Sequence, residues 1–306
     1  MTERGVLLMA YGSPDREEEV EAYFTDIRGG RKPTAAEVEN LKARYKVIGG
    51  SSPLLKITNS TARKLEYEMR SENRDVKVYV GMKHWHPYIS EAFNQISQNG
   101  ITDLVAIALA PHYSKISTGM YQDAVRKANG AHGNIVRVKF VDDWHLNPQF
   151  IENWKKRIVD AARTKFSGID RNKVFFLFTA HSLPERIRNW NDPYQYQLLE
   201  TAERLAKDLG LDANQCDFAF QSAGHSSEPW LGPDILDKLS ALSKAGWKNV
   251  LVVPIGFVSD HLEILFDIDV EANELAGKIG IHLERTDSFN DSDDFVEVLK
   301  SVAQKT

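Results

Sequence analysis

The sequence predicts an α/β protein of two similar Rossmann-like domains, each a four-stranded parallel sheet flanked by helices. Two observations carry this expectation. Short apolar runs alternate with helical stretches along the whole chain, as βαβ units and parallel sheets require. The series then repeats, with four strands in each half and third strands that end alike, Ala110-Pro111-His112 against Val253-Pro254-Ile255. With 306 residues the chain is long enough for two domains. The domains are expected over residues 1–143 and 144–306, joined near 144–150, facing each other across a cleft at their strand ends. One larger open sheet is the alternative.

In the first domain, residues 6–11 read as a strand that stops at Gly12-Ser13-Pro14. Helical patterns over 17–27 and 37–48 are closed by the pairs Gly29-Gly30 and Gly49-Gly50, and 57–69 is a third helix. Then come a strand at 76–82, a helix at 88–98, and strands at 104–110 and 135–141. The second domain repeats the order. Strands are expected at 174–179, 217–221, 250–255 and 281–285, with helices at 196–209, 235–244 and 262–272 between them. A last helix at 293–304 is expected to return to the first domain.

Composition narrows the function. Hydrophobic residues make up 42% and charged residues 26%, so the chain can bury a core. The formal net charge of −5 gives no global attraction for nucleic acid or an anionic membrane, and an acidic ligand would need a local cluster of bases. Cys216 is the single cysteine, which excludes a disulfide framework and a Cys-rich zinc or iron–sulfur site within one chain. No apolar run is long enough for a transmembrane segment, and residues 1–12 lack the pattern of a signal peptide. A cytoplasmic location is therefore expected. No GxGxxG follows the first strand, and there is no P-loop, HExxH, CxxC or Gly-x-Ser-x-Gly elbow.

The polar strand ends carry the chemistry. Val174–Thr179 is a continuous apolar run of the kind buried on both faces of a sheet, and it stops at His181. Ser182 and Glu185 then have the spacing of a capping box. This puts His181 on a strand-to-helix turn at the carboxyl edge of the sheet, where α/β proteins bind ligands. An imidazole there suits proton transfer, although a structural turn histidine fits the stretch equally well. Other strand ends bear Tyr11, Lys83-His84, His112, Gln221 and the run Val258-Ser259-Asp260-His261-Leu262-Glu263. Glu263, Asp267 and Glu271 stand four apart, on one face of a regular helix. Glu263 starts that helix and could meet His181 to bind a divalent metal or share a proton. Asp267 and Glu271 read either as a solvated face or as a cation path. Arg28, Arg31, Arg44, Tyr45, Ser52 and Tyr121 form a group of forks and hydroxyls suited to carboxylates. Trp230, in a Pro-flanked loop, reads as a core residue or as the floor of an apolar pocket.

These residues carry a resemblance. The chain resembles a ferrochelatase through Tyr45-Lys46-Val47-Ile48-Gly49-Gly50-Ser51-Ser52-Pro53-Leu54, Leu109-Ala110-Pro111-His112-Tyr113-Ser114 and Ala180-His181-Ser182-Leu183-Pro184-Glu185. It continues through Asn191-Asp192-Pro193-Tyr194, Pro229-Trp230-Leu231-Gly232-Pro233 and the run from Val253 to Glu263. It looks most like the coproporphyrin III ferrochelatases of Gram-positive bacteria, since protoporphyrin-type members usually lack a tyrosine at the position of Tyr11. Two positions depart. Phe220-Gln221-Ser222-Ala223-Gly224 stands where Trp-Gln-Ser-Glu-Gly is usual, and Gly29 where a basic residue is often found.

The resemblance implies a chelatase-like fold and a lyase of haem biosynthesis that inserts Fe2+ into a porphyrin. It implies His181 and Glu263 as the catalytic and metal-contacting pair, with Tyr11 an axial contact to the metal. Asp267 and Glu271 would extend an outer metal path. Arg28, Arg44, Tyr45, Ser52 and Tyr121 would hold propionates, and His84 would reach the porphyrin or an outer metal site. Fe2+ is then a substrate, with no permanently bound cofactor and no iron–sulfur cluster. The partners expected are the porphyrin, ferrous iron and a transient haem-handover protein. The competing readings are protoporphyrin IX insertion, cobalt or nickel chelation into another tetrapyrrole, and a non-enzymatic tetrapyrrole carrier.

Overall fold

The structure, a computed structural model, describes residues 4–72, 75–224 and 228–305. These residues form two compact units. One comprises the chain up to Trp144 together with Ser259–Leu262 and the segment from Phe289 onward; the other comprises His145–Val258 and Glu263–Ser288.

The first unit holds β1 (Arg4–Ala10), β2 (Val76–Met82), β3 (Asp103–Ala108) and β4 (Arg137–Val141), parallel and in the order β2-β1-β3-β4. The second holds β5 (Val174–His181), β6 (Cys216–Gln221), β7 (Asn249–Val253) and β8 (His282–Arg285), parallel and in the order β6-β5-β7-β8. The central strands are the most apolar. Val6–Met9 and Val174–Phe178 are each at most 4% exposed, because helices cover both faces of a parallel sheet. In each order the chain turns one way after the first strand and the other way after the third. The crevice at that switch point lies between the carboxyl ends of β5 and β7 in the second unit.

Helices α1 (Val20–Ile27), α2 (Ala35–Val47), α3 (Leu54–Ser71), α4 (Ile89–Gln98) and α5 (Thr118–Ala131) belong to the first unit. Thr34 and Glu37 close α2 with a reciprocal capping box. The second unit has α6 (Pro148–Lys165), α7 (Tyr194–Leu209) and α8 (Ile235–Lys244). After β7 come α9 (Leu262–Leu265), a π-helical turn (Asp267–Ala272) and α10 (Asn273–Lys278). The final helix, α11 (Asp293–Lys305), packs on α3, and Lys300 and Gln304 both reach Glu72, at 3.1 and 3.0 Å.

Four expectations need correction. The expected series has no helix between 110 and 135 or between 144 and 174, where α5 and α6 stand. Phe150, Trp154 and Ile158 recur every fourth residue and form the buried stripe of α6, a periodicity masked by the basic residues between them. Ser182 and Glu185 make no capping box. The Ser182 hydroxyl donates to the Leu231 carbonyl at 2.7 Å and the Glu185 N–H to that of Pro229 at 2.8 Å. The turn is thus tied to a neighbouring loop, and a short 3-10 helix, Glu185–Trp190, follows. The helix expected at 262–272 contains a π-turn, with the Glu271 N–H donating to the Phe266 carbonyl at 2.9 Å, five residues back. Trp230 is partly exposed rather than core.

One close approach fixes the end of β5. A Cβ added at Gly256, just past β7, would lie 2.5 Å from Ala180 Cβ and 2.9 Å from its Cα. The Gly256 N–H donates to the Thr179 carbonyl at 3.2 Å. A side chain there must displace the strand that carries His181. Gly256→Ala is expected to lower stability by about 1–3 kcal/mol, the usual range for overpacking, read as a fall in denaturation midpoint; an unchanged midpoint would show that the strand end yields freely.

Candidate active site

The site grows from the last residue of β5. His181 ends a strand that is otherwise fully buried, and its ring emerges where helical cover stops. Its Nδ1 donates to the neighbouring Ser182 carbonyl, which leaves Nε2 to face outward. Nε2 lies 3.5 Å from Glu263 Oε1, and about a third of each side chain stays open, 31% and 30%. Glu263 reaches this point because the chain leaves β7, passes Gly256 and enters α9 beside β5. The pair therefore sits at the switch point of the second sheet.

The surroundings set the charge state. Burial disfavours an imidazolium, but the Glu263 carboxylate, the Ser182 carbonyl and the more distant Asp267 overcome it and raise His181 to about 9. At neutral pH the resting pair is an imidazolium against a carboxylate. The Tyr194 hydroxyl donates to the His181 carbonyl at 2.9 Å, and burial pushes its own ionisation well above the ordinary tyrosine range.

The row of acids is not one helical face. The π-turn inserts an extra residue between Asp267 and Ala272, so the spacing of four no longer repeats a direction. Asp267 is only 7% exposed and accepts a hydrogen bond from the Ser222 hydroxyl, which is unlike a solvated face. Glu271 is exposed. Among the described residues no group of three or more His, Cys, Asp or Glu side chains is placed to hold a metal together.

The remaining candidates lie in the first unit. Tyr11, just past β1, is 41% exposed and its ring lies 4.7 Å from that of His84. His84 contacts Asp26 at 2.9 Å, and burial lowers its basicity in spite of that carboxylate. Lys83 approaches the rings of Tyr11 and Tyr121 at 5.8 and 5.7 Å, and burial lowers its ionisation. Arg28 is bound to Glu37 at 2.7 Å, and the Thr34 N–H together with this guanidinium holds that carboxylate down at about 2. Tyr45, Ser52 and Tyr121 are 3%, 6% and 6% exposed, so only a small edge of each can meet a ligand. Arg44, near the end of α2, is partly exposed. His112 is buried at 2%.

The sequence offers Tyr194 and Gly256 only as members of the resembling motifs and Ser222 only within the departing segment Phe220–Gly224, with no role for any of them, and Gln221 only as a polar strand end. A glutamine closing a buried run, Phe218-Ala219-Phe220-Gln221, was the available signal. The others act through the fold and have no local pattern.

Two parallel sheets of one repeated order share the fold of a chelatase of known structure. SirB from Bacillus subtilis with Fe3+ aligns over 100% of this chain and 95% of its own, with a TM-score of 0.61 at 12% identity. In sequence, the family model described as Ferrochelatase matches residues 3–306. A ferrochelatase of Herpetosiphon aurantiacus is 46% identical over 97% of both chains. A coproporphyrin III ferrochelatase of Geobacillus sp. strain WCH70 is 39% identical over 98% of this chain and 97% of its own. The chain belongs to the ferrochelatase family, the lyases that insert iron into a porphyrin during haem synthesis.

In the metal-free protein, NMR should find His181 titrating near 9. Glu263→Gln should bring it to or below the ordinary value of about 6.5, since burial is then less opposed. The sign for stability follows. A raised folded value contributes stability that is complete below about pH 6.5 and is lost as the pH rises through 9. An unshifted His181 in the wild type would refute the coupling.

Proposed function

We propose that the chain inserts Fe2+ into coproporphyrin III, with His181 and Glu263 as the groups that exchange protons and metal. The observation that carries this reading is the 3.5 Å approach of an imidazole to a carboxylate at the sheet's switch point. Insertion removes two pyrrole protons and places one Fe2+ among four ring nitrogens. The resting pair already holds a proton on His181, so it cannot act as a base until that proton leaves. A cation arriving at Glu263 cancels the negative charge that stabilises the imidazolium. Burial then dominates, the partly exposed His181 releases its proton to water, and the neutral imidazole can accept the two pyrrole protons in succession, passing the first to water before it takes the second. Charge balance thus links metal arrival to base formation.

Asp267, held by Ser222, would lie on the metal's path, with exposed Glu271 at its outer end. In the first unit, Tyr11 would contact the metal and His84 would reach the porphyrin or an outer metal site. Arg28, Arg44, Tyr45, Ser52 and Tyr121 would anchor propionates. Arg28 must then share its guanidinium with Glu37 or exchange it for the ligand.

Coproporphyrin III is favoured by Tyr11 and by relatives named for that substrate. Protoporphyrin IX is the second reading, supported by Ala223 and Gly29 where the coproporphyrin group usually differs. The reaction is proposed to take place in the cytoplasm, and no described helix is long and apolar enough to cross a membrane. The lone Cys216 leaves no cysteine set for an iron–sulfur cluster within one chain, so no cofactor beyond the two substrates is proposed. The product would pass to a transient haem-accepting protein.

His181→Ala should lower insertion by a factor of about 10²–10⁴, the usual contribution of a positioned base, while porphyrin binding by fluorescence quenching stays within threefold; near-normal turnover would sink the role. Arg44→Ala should raise the porphyrin KM more than it lowers kcat, and the reverse would place Arg44 elsewhere. Side-by-side Fe2+ insertion should favour coproporphyrin III over protoporphyrin IX in kcat/KM, and a preference for protoporphyrin IX would assign the second reading.

A further inference from the structure

Gln221 ends β6 with no exposed surface at all. A buried primary amide is costly unless both of its ends are bonded. Both are. The Glu263 backbone carbonyl can only accept, so it fixes the amide orientation: Nε2 donates to it at 2.8 Å. Oε1 then accepts from the Thr179 hydroxyl at 2.9 Å, and Thr179 is also fully buried. The main chain adds a third link, since the Gln221 carbonyl accepts from the Ser182 N–H at 2.7 Å.

These contacts converge on the reacting pair. Gln221 is the register partner of His181, so the two side chains leave the same face of the sheet. Thr179 stands two residues before His181 on that face. The same face packs, through Phe175, Leu177 and Ala219, against Ile264 and Ile268 of the segment bearing Glu263. Yet α9 is only four residues long and runs directly into a π-turn. So short a helix has little stability of its own and takes its position from tertiary contacts. The Gln221 amide joins the strand of His181, through Thr179, to the backbone of Glu263 itself.

We infer that Gln221 is a positioning residue that sets the separation of the His181 imidazole and the Glu263 carboxylate, with Thr179 acting through it. The inference rests on the pair being the site of metal exchange. Replacing Gln221 by an apolar side chain of similar length frees the first turn of α9, and Glu263 then samples positions too far from His181 to share a cation with it. The porphyrin contacts proposed for the first unit are untouched.

The test compares Gln221→Met, Thr179→Val and the double variant in two measurements. Steady-state Fe2+ insertion should show kcat down at least tenfold in Gln221→Met, with the porphyrin KM within twofold. Calorimetric titration of the porphyrin-free protein with Co2+ should show affinity down at least tenfold at unchanged stoichiometry. A merely structural defect would lower the stoichiometry and leave the affinity of the remaining sites alone, which would overturn the inference. Thr179→Val should move both readouts in the same direction by less, and the double variant should equal Gln221→Met. Effects that multiply in the double variant, or wild-type kcat and Co2+ affinity in Gln221→Met, would overturn it. If Gln221→Met does not fold, Thr179→Val decides alone, and wild-type values there refute the inference. Wild-type protein that inserts no metal into any porphyrin would defeat the functional reading instead, leaving the Co2+ comparison to judge the positioning.

Discussion

An imidazole and a carboxylate held 3.5 Å apart, each partly withdrawn from water, must settle where one proton resides. That constraint organises the second unit. Full burial would neutralise the pair and full exposure would screen it, and neither would bring His181 to about 9. The switch point of a parallel sheet supplies the intermediate setting: packed elements on most sides, and an opening where two connections diverge. The apolar core below serves to hold two short, polar strand ends in register.

Much of this was legible in the residues. The strand carrying His181 announces itself through five buried residues from Val174 to Phe178, and Glu263 through its place just after the Val250–Val253 run. The repeated order of the two sheets follows from the alternation of apolar and amphipathic stretches. Other features were not legible, for physical reasons. The Ser182 hydroxyl turned to the Leu231 carbonyl, a partner 49 residues away, which no local pattern encodes. The π-turn has no composition of its own, being a compromise between the packing of Ile268 and Ala272 and the path of the backbone. Helix α6 was hidden because basic residues interrupt the stripe of Phe150, Trp154 and Ile158.

The two units use one sheet order for different ends. The end of β1 carries a tyrosine whose ring lies tilted against that of a histidine whose basicity burial has reduced. The end of β5 carries a histidine whose basicity a carboxylate has increased. The difference lies in the partner. At His84 burial and the charge of Lys83 together outweigh Asp26, whereas at His181 the Glu263 carboxylate, with the Ser182 carbonyl and Asp267, outweighs burial. The carboxyl edges of two sheets of the same order thus acquire opposite electrostatic characters from the few side chains that the connections bring there.

The π-turn also limits how this segment can change in length. Ile264, before it, and Ala276, after it, both face the core, although twelve residues of regular helix would set them about 120° apart. The π-turn absorbs one residue and brings them back to one face. Losing one residue from 266–272 would let the turn close to ordinary helix and leave Ala276 on the core side, whereas gaining one would rotate everything downstream by about 100°. The segment is therefore open to a single deletion and closed to an insertion.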